Sequence, residues 1–483
     1  MNQRRGLSDD AASRVDAVVV GGGIAGLVAA HMLVEGGALP VVLEARARCG
    51  GYLAGGTLTA GGATVRVDVG AESFAARSSA TRSLVEMLGL ETAPPAALSA
   101  WGYTPARRRA QAFPLPATGV LGIPGFPWAA DTRRAIGVGG AVRASLDSVL
   151  PADRVDTSSL AALVRSRLGS RVLDRLVTPV AGGVHSSDPA LLDVAAVAPG
   201  LLEAYQRTGS LTGAVRALRA QAPAGSAVRG VVGGMNQLVT ALERSIEASG
   251  AEIRRSTSAL TLRRDGDEWL VRTGPGQMLR TSRVVLAAPA RATLGLLADL
   301  VDVEGAEPSR GTDIRLVTLL VRSAALDAAP RGTGILVAPG TSVAAKASTH
   351  ASAKWPWLRR QLDETVGTDV HVLRFSYGRG GTDTAHATAA DDALVAQAVA
   401  DLDQLYGITD AEVLSSLVTA WDDALAPPTP ASRTRTARLL EDVDGLAPRG
   451  LPGLTVTGAW VAGTGLAAVV PHAQNSARLL NGR

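Results

Sequence analysis

Between an apolar, β-branched run at residues 15–20 and an Ala/Leu-rich stretch at 24–34, the chain reads Gly21-Gly22-Gly23-Ile24-Ala25-Gly26. This is a G-x-G-x-x-G pattern set where a strand gives way to a helix. Gly21 permits the tight turn, Gly23 lets the backbone approach a diphosphate, and Gly26 lets helix and strand pack closely. The helix start adds unpaired N–H donors and the positive end of its dipole. Residues 41–43 form the next strand, so strand, glycine turn, helix and strand open a parallel α/β sheet. A glycine turn alone can merely join two elements. Glu44 closes the second strand, 18 residues beyond Gly26, and supplies the acidic group that accepts hydrogen bonds from ribose hydroxyls.

One such unit does not account for 483 residues, because single cores stop growing at roughly 250–300 residues. A second strand-rich stretch starts near 251, where 253–262 and 268–272 alternate around Asp265-Gly266-Asp267 and 284–288 reads as a buried strand. Another strand at 454–457 leads into a last helix around 473–480. Two insertions interrupt this set. The first opens Pro/Gly-rich near 95 and turns helical at 160–176; the second carries strands at 314–322 and 371–377 and a helix at 391–406. The expected fold class is α/β. A Rossmann-like dinucleotide-binding domain is assembled from 1–95, 226–309 and 441–483, with a helical substrate or cap domain at 96–225 and an α+β substrate-binding domain at 310–440.

Composition removes several function classes. The net charge is +4, yet the arginines are scattered, with Arg107, Arg108 and Arg109 the largest cluster, and aromatics make up 3%. Nucleic-acid binding is therefore not expected. No run of about 18 apolar residues offers a transmembrane segment, and the N-terminal stretch is not followed by the apolar core of a secretory signal. Cys49, the single cysteine, allows no internal disulfide framework, which agrees with a cytoplasmic setting. His31, His185, His350, His371, His386 and His472 show no metal-ligand spacing. No Ser-His-Asp or Cys-His constellation is evident, so neither a metal nor a catalytic side chain is expected.

Beyond Glu44, Ala45-Arg46-Ala47-Arg48-Cys49-Gly50-Gly51 resembles the E-x-x-x-R-x-G-G signature of the FAD-dependent amine oxidase and protoporphyrinogen oxidase superfamily. That match points to FAD in place of a nicotinamide dinucleotide. Four later segments narrow it: Asp68-Val69-Gly70-Ala71-Glu72-Ser73-Phe74, Pro179-Val180-Ala181-Gly182-Gly183-Val184-His185, Gly233-Gly234-Met235-Asn236-Gln237-Leu238, and KASTHASAKWPW from Lys346 to Trp357. In this order they resemble the bacterial coproporphyrinogen/protoporphyrinogen oxidases over nearly the whole chain. Two stretches depart from that family. After Trp421 and Ala424-Leu425 the chain runs Ala426-Pro427-Pro428 where a P-Q-Y is usual, and 466–475 replaces an I-P-x-C-I-x-x-G that normally follows the Gly458–Gly465 motif.

The resemblance implies that FAD is held by Gly21, Gly23, Ile24, Ala25, Gly26, Glu44, Ala45, Arg48, Gly50, Gly51, Gly70, Ala71, Glu72, Ser73, Ala259, Gly458, Trp460, Gly465 and Leu466. It implies substrate contacts from Arg77 and Lys346, cations suited to propionates. The implied reaction is six-electron oxidation of coproporphyrinogen III to coproporphyrin III in haem biosynthesis, with flavin-centred chemistry, dioxygen as acceptor and hydrogen peroxide as product. Four propionates, a basic chain and the absence of a membrane-anchoring apolar patch favour coproporphyrinogen over the alternative, protoporphyrinogen IX. An amine oxidase, which commonly encloses its substrate with aromatics, fits poorly with four Phe, five Tyr and seven Trp. A non-catalytic FAD- or porphyrin-binding protein is the remaining reading. Pathway order adds the expectation of a transient contact with a ferrochelatase.

Overall fold

The computed structural model describes residues 12–105, 110–151, 153, 155–221, 228–380, 385–426, 429–447 and 453–481. The Arg107–Arg109 cluster and the Pro427-Pro428 pair lie outside the described residues. The centre is a five-stranded parallel sheet in the order Glu252–Arg254, Pro40–Leu43, Ala17–Val20, Val284–Leu286, Leu454–Val456. Its three inner strands read PVVL, AVVV and VVL and are buried throughout, the continuous apolar pattern of a parallel sheet covered on both faces. One face packs against the helices Ile24–Glu35, Asn236–Ala248 and Leu466–Asn481. The other carries the antiparallel strands Ala259–Asp265, Glu268–Thr273 and Met278–Thr281 together with Ala290–Leu297 and Pro430–Asp444. Strands from residues 17–43, 252–286 and 454–456 thus share one sheet, with the helix Pro430–Asp444 packed against it.

The second large element is a seven-stranded sheet in the order Glu412–Leu425, Thr312–Arg322, Val370–Tyr377, Ala347–His350, Gly334–Val337, Ala100–Thr104, Gln111–Pro114. Its last two strands come from a stretch that the sequence groups with the helical insertion. Ala100–Thr104 pairs in parallel with Gly334–Val337, a long-range pairing that no local pattern specifies. The helix Asp391–Tyr406 covers this sheet through Leu394, Ala398, Leu402 and Leu405 and ends on left-handed Gly407.

Helices between 130 and 221 form the remaining block around a buried ion pair, Arg167 Nε to Asp147 Oδ1 at 2.8 Å. Asp147 also accepts from the backbone N–H groups of Leu211 and Thr212, at 3.1 and 2.8 Å, which answers the cost of burying its charge. The periodicity at 160–176 is not one helix: Leu160–Leu168 stops at Gly169, whose φ of +87° breaks the spiral. On the outside, Phe126, Trp128, Val138, Val142, Leu146 and Val149 are all exposed. Among the described residues no helix is long and apolar enough to cross a membrane.

Candidate cofactor and substrate site

The three glycines of the first turn differ in what surrounds them. Gly21 has φ +105°, and a Cβ there would lie 2.7 Å from the Ala287 carbonyl oxygen. A Cβ on Gly26 would lie 1.8 Å from the Gly21 oxygen, so helix and turn touch through hydrogen alone. At Gly23 a Cβ would meet nothing within 4 Å, and no side chain caps the Ile24–Glu35 helix that it precedes. Two glycines are thus required by the fold itself, while the third leaves a helix start, with Ile24 and Ala25 in its first turn, open to an anionic group.

The second glycine pair closes on this turn. Gly50 N–H donates to the Gly22 oxygen at 2.8 Å, and Gly23 bridges Gly50. Glu44, at the end of the Pro40–Leu43 strand, accepts from the N–H groups of Gly22 and Arg46, both at 2.8 Å. Backbone hydrogen bonds from Ser256 and Thr257 to the Arg46 and Glu44 carbonyls bring the start of the Ala259 strand beside it, near exposed Ala45. Arg48 donates to the carbonyls of Cys49 and Gly51 at 3.3 and 3.2 Å and lies over Trp421, 5.4 Å from the ring centroid. Burial and the neighbouring Glu243 push the Cys49 thiol up to about 12, so it is not a nucleophile at neutral pH.

Gly458, with φ +124°, approaches the Ala287 carbonyl from the C-terminal side, 3.9 Å from where its Cβ would be. The first and last glycine turns therefore meet at one residue. Trp460 Nε1 donates to the Ala288 oxygen at 3.2 Å, Gly465 has open space at its Cβ position, and buried Leu466 begins the last helix. Gly70 and Ala71 lie against Tyr52: the Tyr52 oxygen accepts from Ala71 N–H at 3.0 Å and would be 2.0 Å from a Gly70 Cβ. Ser73 is half-buried beside them.

Glu72 points elsewhere, into an ion pair with Arg374 at 3.0 Å and a second with Lys354. Burial opposes its ionisation, but the two cations win and hold its carboxyl down to about 2. For Asp68 burial dominates and pushes the carboxyl up to about 6 against the Met235 N–H that it accepts. Lys346 is 2% exposed and donates to Ser186 Oγ.

A cavity of about 1190 Å³ lies beside the 459–464 segment, bounded by the helices Ser79–Met87, Val194–Val197 and Pro430–Asp444. Its charged lining side chains are Arg77 and Arg433; no carboxylate lines it among the described residues. Serine and threonine hydroxyls, Trp460 and His185 complete the wall, and burial lowers the pKa of His185. Arg433, Arg374, Lys354 and His185 carry no role in the sequence reading. Lys354 and His185 fall inside quoted motifs, whereas nothing local marks Arg374 or Arg433.

These features fit an adenine dinucleotide: an open helix start, a carboxylate at the neighbouring strand end and a second glycine turn meeting the first. Residues 24–480 match the family described as flavin containing amine oxidoreductase. The chain is 31% identical over 468 residues to a coproporphyrinogen III oxidase of Mycobacterium bovis, covering 94% of each chain. It is 25% identical over 461 residues to that of Bacillus subtilis, covering 93% of this chain and 94% of the relative. A solved structure from Exiguobacterium sp. 255-15, carrying a provisional protoporphyrinogen oxidase name, superposes with a TM-score of 0.80 at 24% identity over 99% of both chains. The family's cofactor is a flavin, and FAD is the form this site accommodates. Matched over most of its length and built around the glycine turns described above, the chain belongs to the flavin containing amine oxidoreductase family, alongside the bacterial coproporphyrinogen III oxidases.

Proposed function

We propose that this protein oxidises coproporphyrinogen III to coproporphyrin III in the cytoplasm, as a step of haem biosynthesis, with dioxygen as the final acceptor. The carrying observation is the cavity beside the C-terminal glycine turn, whose charged lining side chains are two arginines with no carboxylate among the described residues. Bound FAD supplies a two-electron oxidation, so removing six electrons takes three rounds, each ending in hydrogen peroxide. The chain's own part is to bind and orient. Arg77, exposed at the cavity, receives a propionate, and Val197, Leu440 and Val461 offer apolar wall to the macrocycle. Lys346 acts at one remove: its ammonium holds Ser186, next to the cavity-lining His185. Two arginines match two propionates as readily as part of a set of four, so the preference for coproporphyrinogen III over protoporphyrinogen IX rests on the coproporphyrinogen III oxidase relatives.

Feeding coproporphyrinogen III and protoporphyrinogen IX separately under air, while following porphyrin fluorescence and peroxide, tests the reading. About three peroxides per coproporphyrin are expected from six electrons taken in pairs. A clear preference for protoporphyrinogen IX would overturn the substrate, and peroxide from amines without porphyrinogen turnover would overturn the reaction.

A further inference from the structure

The two arginines of the cavity are in different states. Among the described residues Arg77 has no ion-pair partner. Arg433, in the first turn of the helix Pro430–Asp444, pairs with Asp193 Oδ2 at 2.5 Å. Asp193 precedes the short helix Val194–Val197, and its other oxygen accepts from Ala195 N–H at 3.0 Å. The pair therefore joins the helical block to the Pro430–Asp444 helix along the cavity wall. Asp193 is 12% exposed and fixed from its own side, whereas the Arg433 side chain is 57% exposed. A pair with one half in water is weak, because solvent screens it and the long arginine pays side-chain entropy to hold it.

We propose that Arg433 is a second carboxylate-binding residue of the cavity and that Asp193 is its internal competitor, occupying the guanidinium until a polycarboxylate ligand takes it over. This rests on the reading of the cavity as the porphyrinogen site. An incoming carboxylate exchanges one charge-assisted contact of Arg433 for another, at little net cost in Coulomb energy. Asp193 keeps the Ala195 N–H when Arg433 leaves, so its carboxylate is not stranded. The exchange releases the contact between the Val194–Val197 and Pro430–Asp444 helices, tying cavity opening to the ligand's own charge. A ligand without carboxylates has nothing to offer Arg433 and leaves the pair in place.

Ion-pair partners with merely structural roles weaken binding in the same direction when removed; competitors do not. Coproporphyrin III, with four carboxylates, and its tetramethyl ester are titrated into the FAD-loaded protein, with binding read from porphyrin fluorescence. Asp193→Asn, which retains the helix cap, should tighten coproporphyrin III binding roughly three- to tenfold, and Arg433→Ala should weaken it by a similar factor. The ester should be unaffected by either change, and the double variant should behave as Arg433→Ala. Shifts in the same direction, equal shifts for the ester, or loss of FAD from Arg433→Ala would overturn the proposal. So would a wild-type protein that binds no coproporphyrin III. Opposite shifts in a protein that fails to oxidise porphyrinogens would uphold the competition and remove only the assigned reaction.

Discussion

Arg374 donates to the Glu72 carboxylate at 3.0 Å, and the same guanidinium reaches the carbonyls of Asp68 and Gly70 at 3.2 and 2.8 Å. One side chain of the Val370–Tyr377 strand thereby fixes the segment running from the hairpin strand Ala63–Asp68 towards the cavity. Lys354 meets the other Glu72 oxygen, so the seven-stranded sheet and the cofactor unit are joined through a partly buried, charged clamp.

The clamp gives stability a pH dependence of two signs. The Glu72 carboxyl is held down from 4.5 to about 2, so its contribution is present above 4.5 and is lost as pH falls from there towards 2. Asp68 is pushed up from 3.8 to about 6, so its charge is a burden above 6 that disappears on acidification through 6 to 4. Glu72→Gln should lower stability at pH 7 by up to about 3 kcal/mol, and Asp68→Asn should raise it by up to about 3 kcal/mol, the gain fading as pH falls. Urea unfolding across this range measures both; equal signs at pH 7 would contradict the clamp.

The glycine turn separates folding from cofactor binding. Gly26→Ala forces a methyl 1.8 Å from the Gly21 oxygen and should cost more than about 2 kcal/mol of stability. Gly23→Ala places its methyl in open space with a backbone that alanine adopts, at φ −67°. The apoprotein should unfold within about 0.5 kcal/mol of wild type while FAD retention falls sharply. Thermal unfolding of apoprotein beside a flavin titration distinguishes the two variants.

Trp421 tests how the long strand supports the cofactor unit. Its indole N–H donates to the Val69 oxygen at 2.8 Å, its ring meets Tyr52 at 5.3 Å, and Arg48 lies over it. Trp421→Phe keeps a ring but loses the donor, leaving a buried carbonyl unpaired at a cost of about 1–3 kcal/mol. Denaturant unfolding should register this loss, and flavin release should accelerate. Unchanged flavin release would show that the strand does not brace the site.

Arg77→Ala should raise the KM for coproporphyrinogen III roughly tenfold, with a smaller effect on kcat, if the arginine binds a propionate remote from the oxidised carbon. Steady-state kinetics with substrates of four and two propionates measure it. A loss confined to kcat would place Arg77 elsewhere in the reaction.

The cofactor turn was legible because its information is local. Gly21, Gly23 and Gly26 sit at fixed offsets between an apolar strand and a helix, and the three inner strands of the parallel sheet carry their burial in their own composition. The long-range ion pairs are not. Arg433 and Asp193 lie 240 residues apart, and Lys354 and Glu72 282 apart, so only the packed fold brings either pair together. The sequence places residues 100–114 with the helical block for the same reason, since sheet membership is decided by a partner strand more than 200 residues away. Lys346 shows a third kind of loss. A lysine in a motif advertises charge, but not that the fold would bury it against Ser186.

Anaerobic mixing of the FAD-loaded protein with coproporphyrinogen III, followed by the visible absorbance of the flavin, is the decisive test of porphyrinogen oxidation by the flavin. The oxidised flavin band should bleach as coproporphyrin appears and return when dioxygen is admitted. A band unchanged by the porphyrinogen, in protein that retains its FAD, would contradict it.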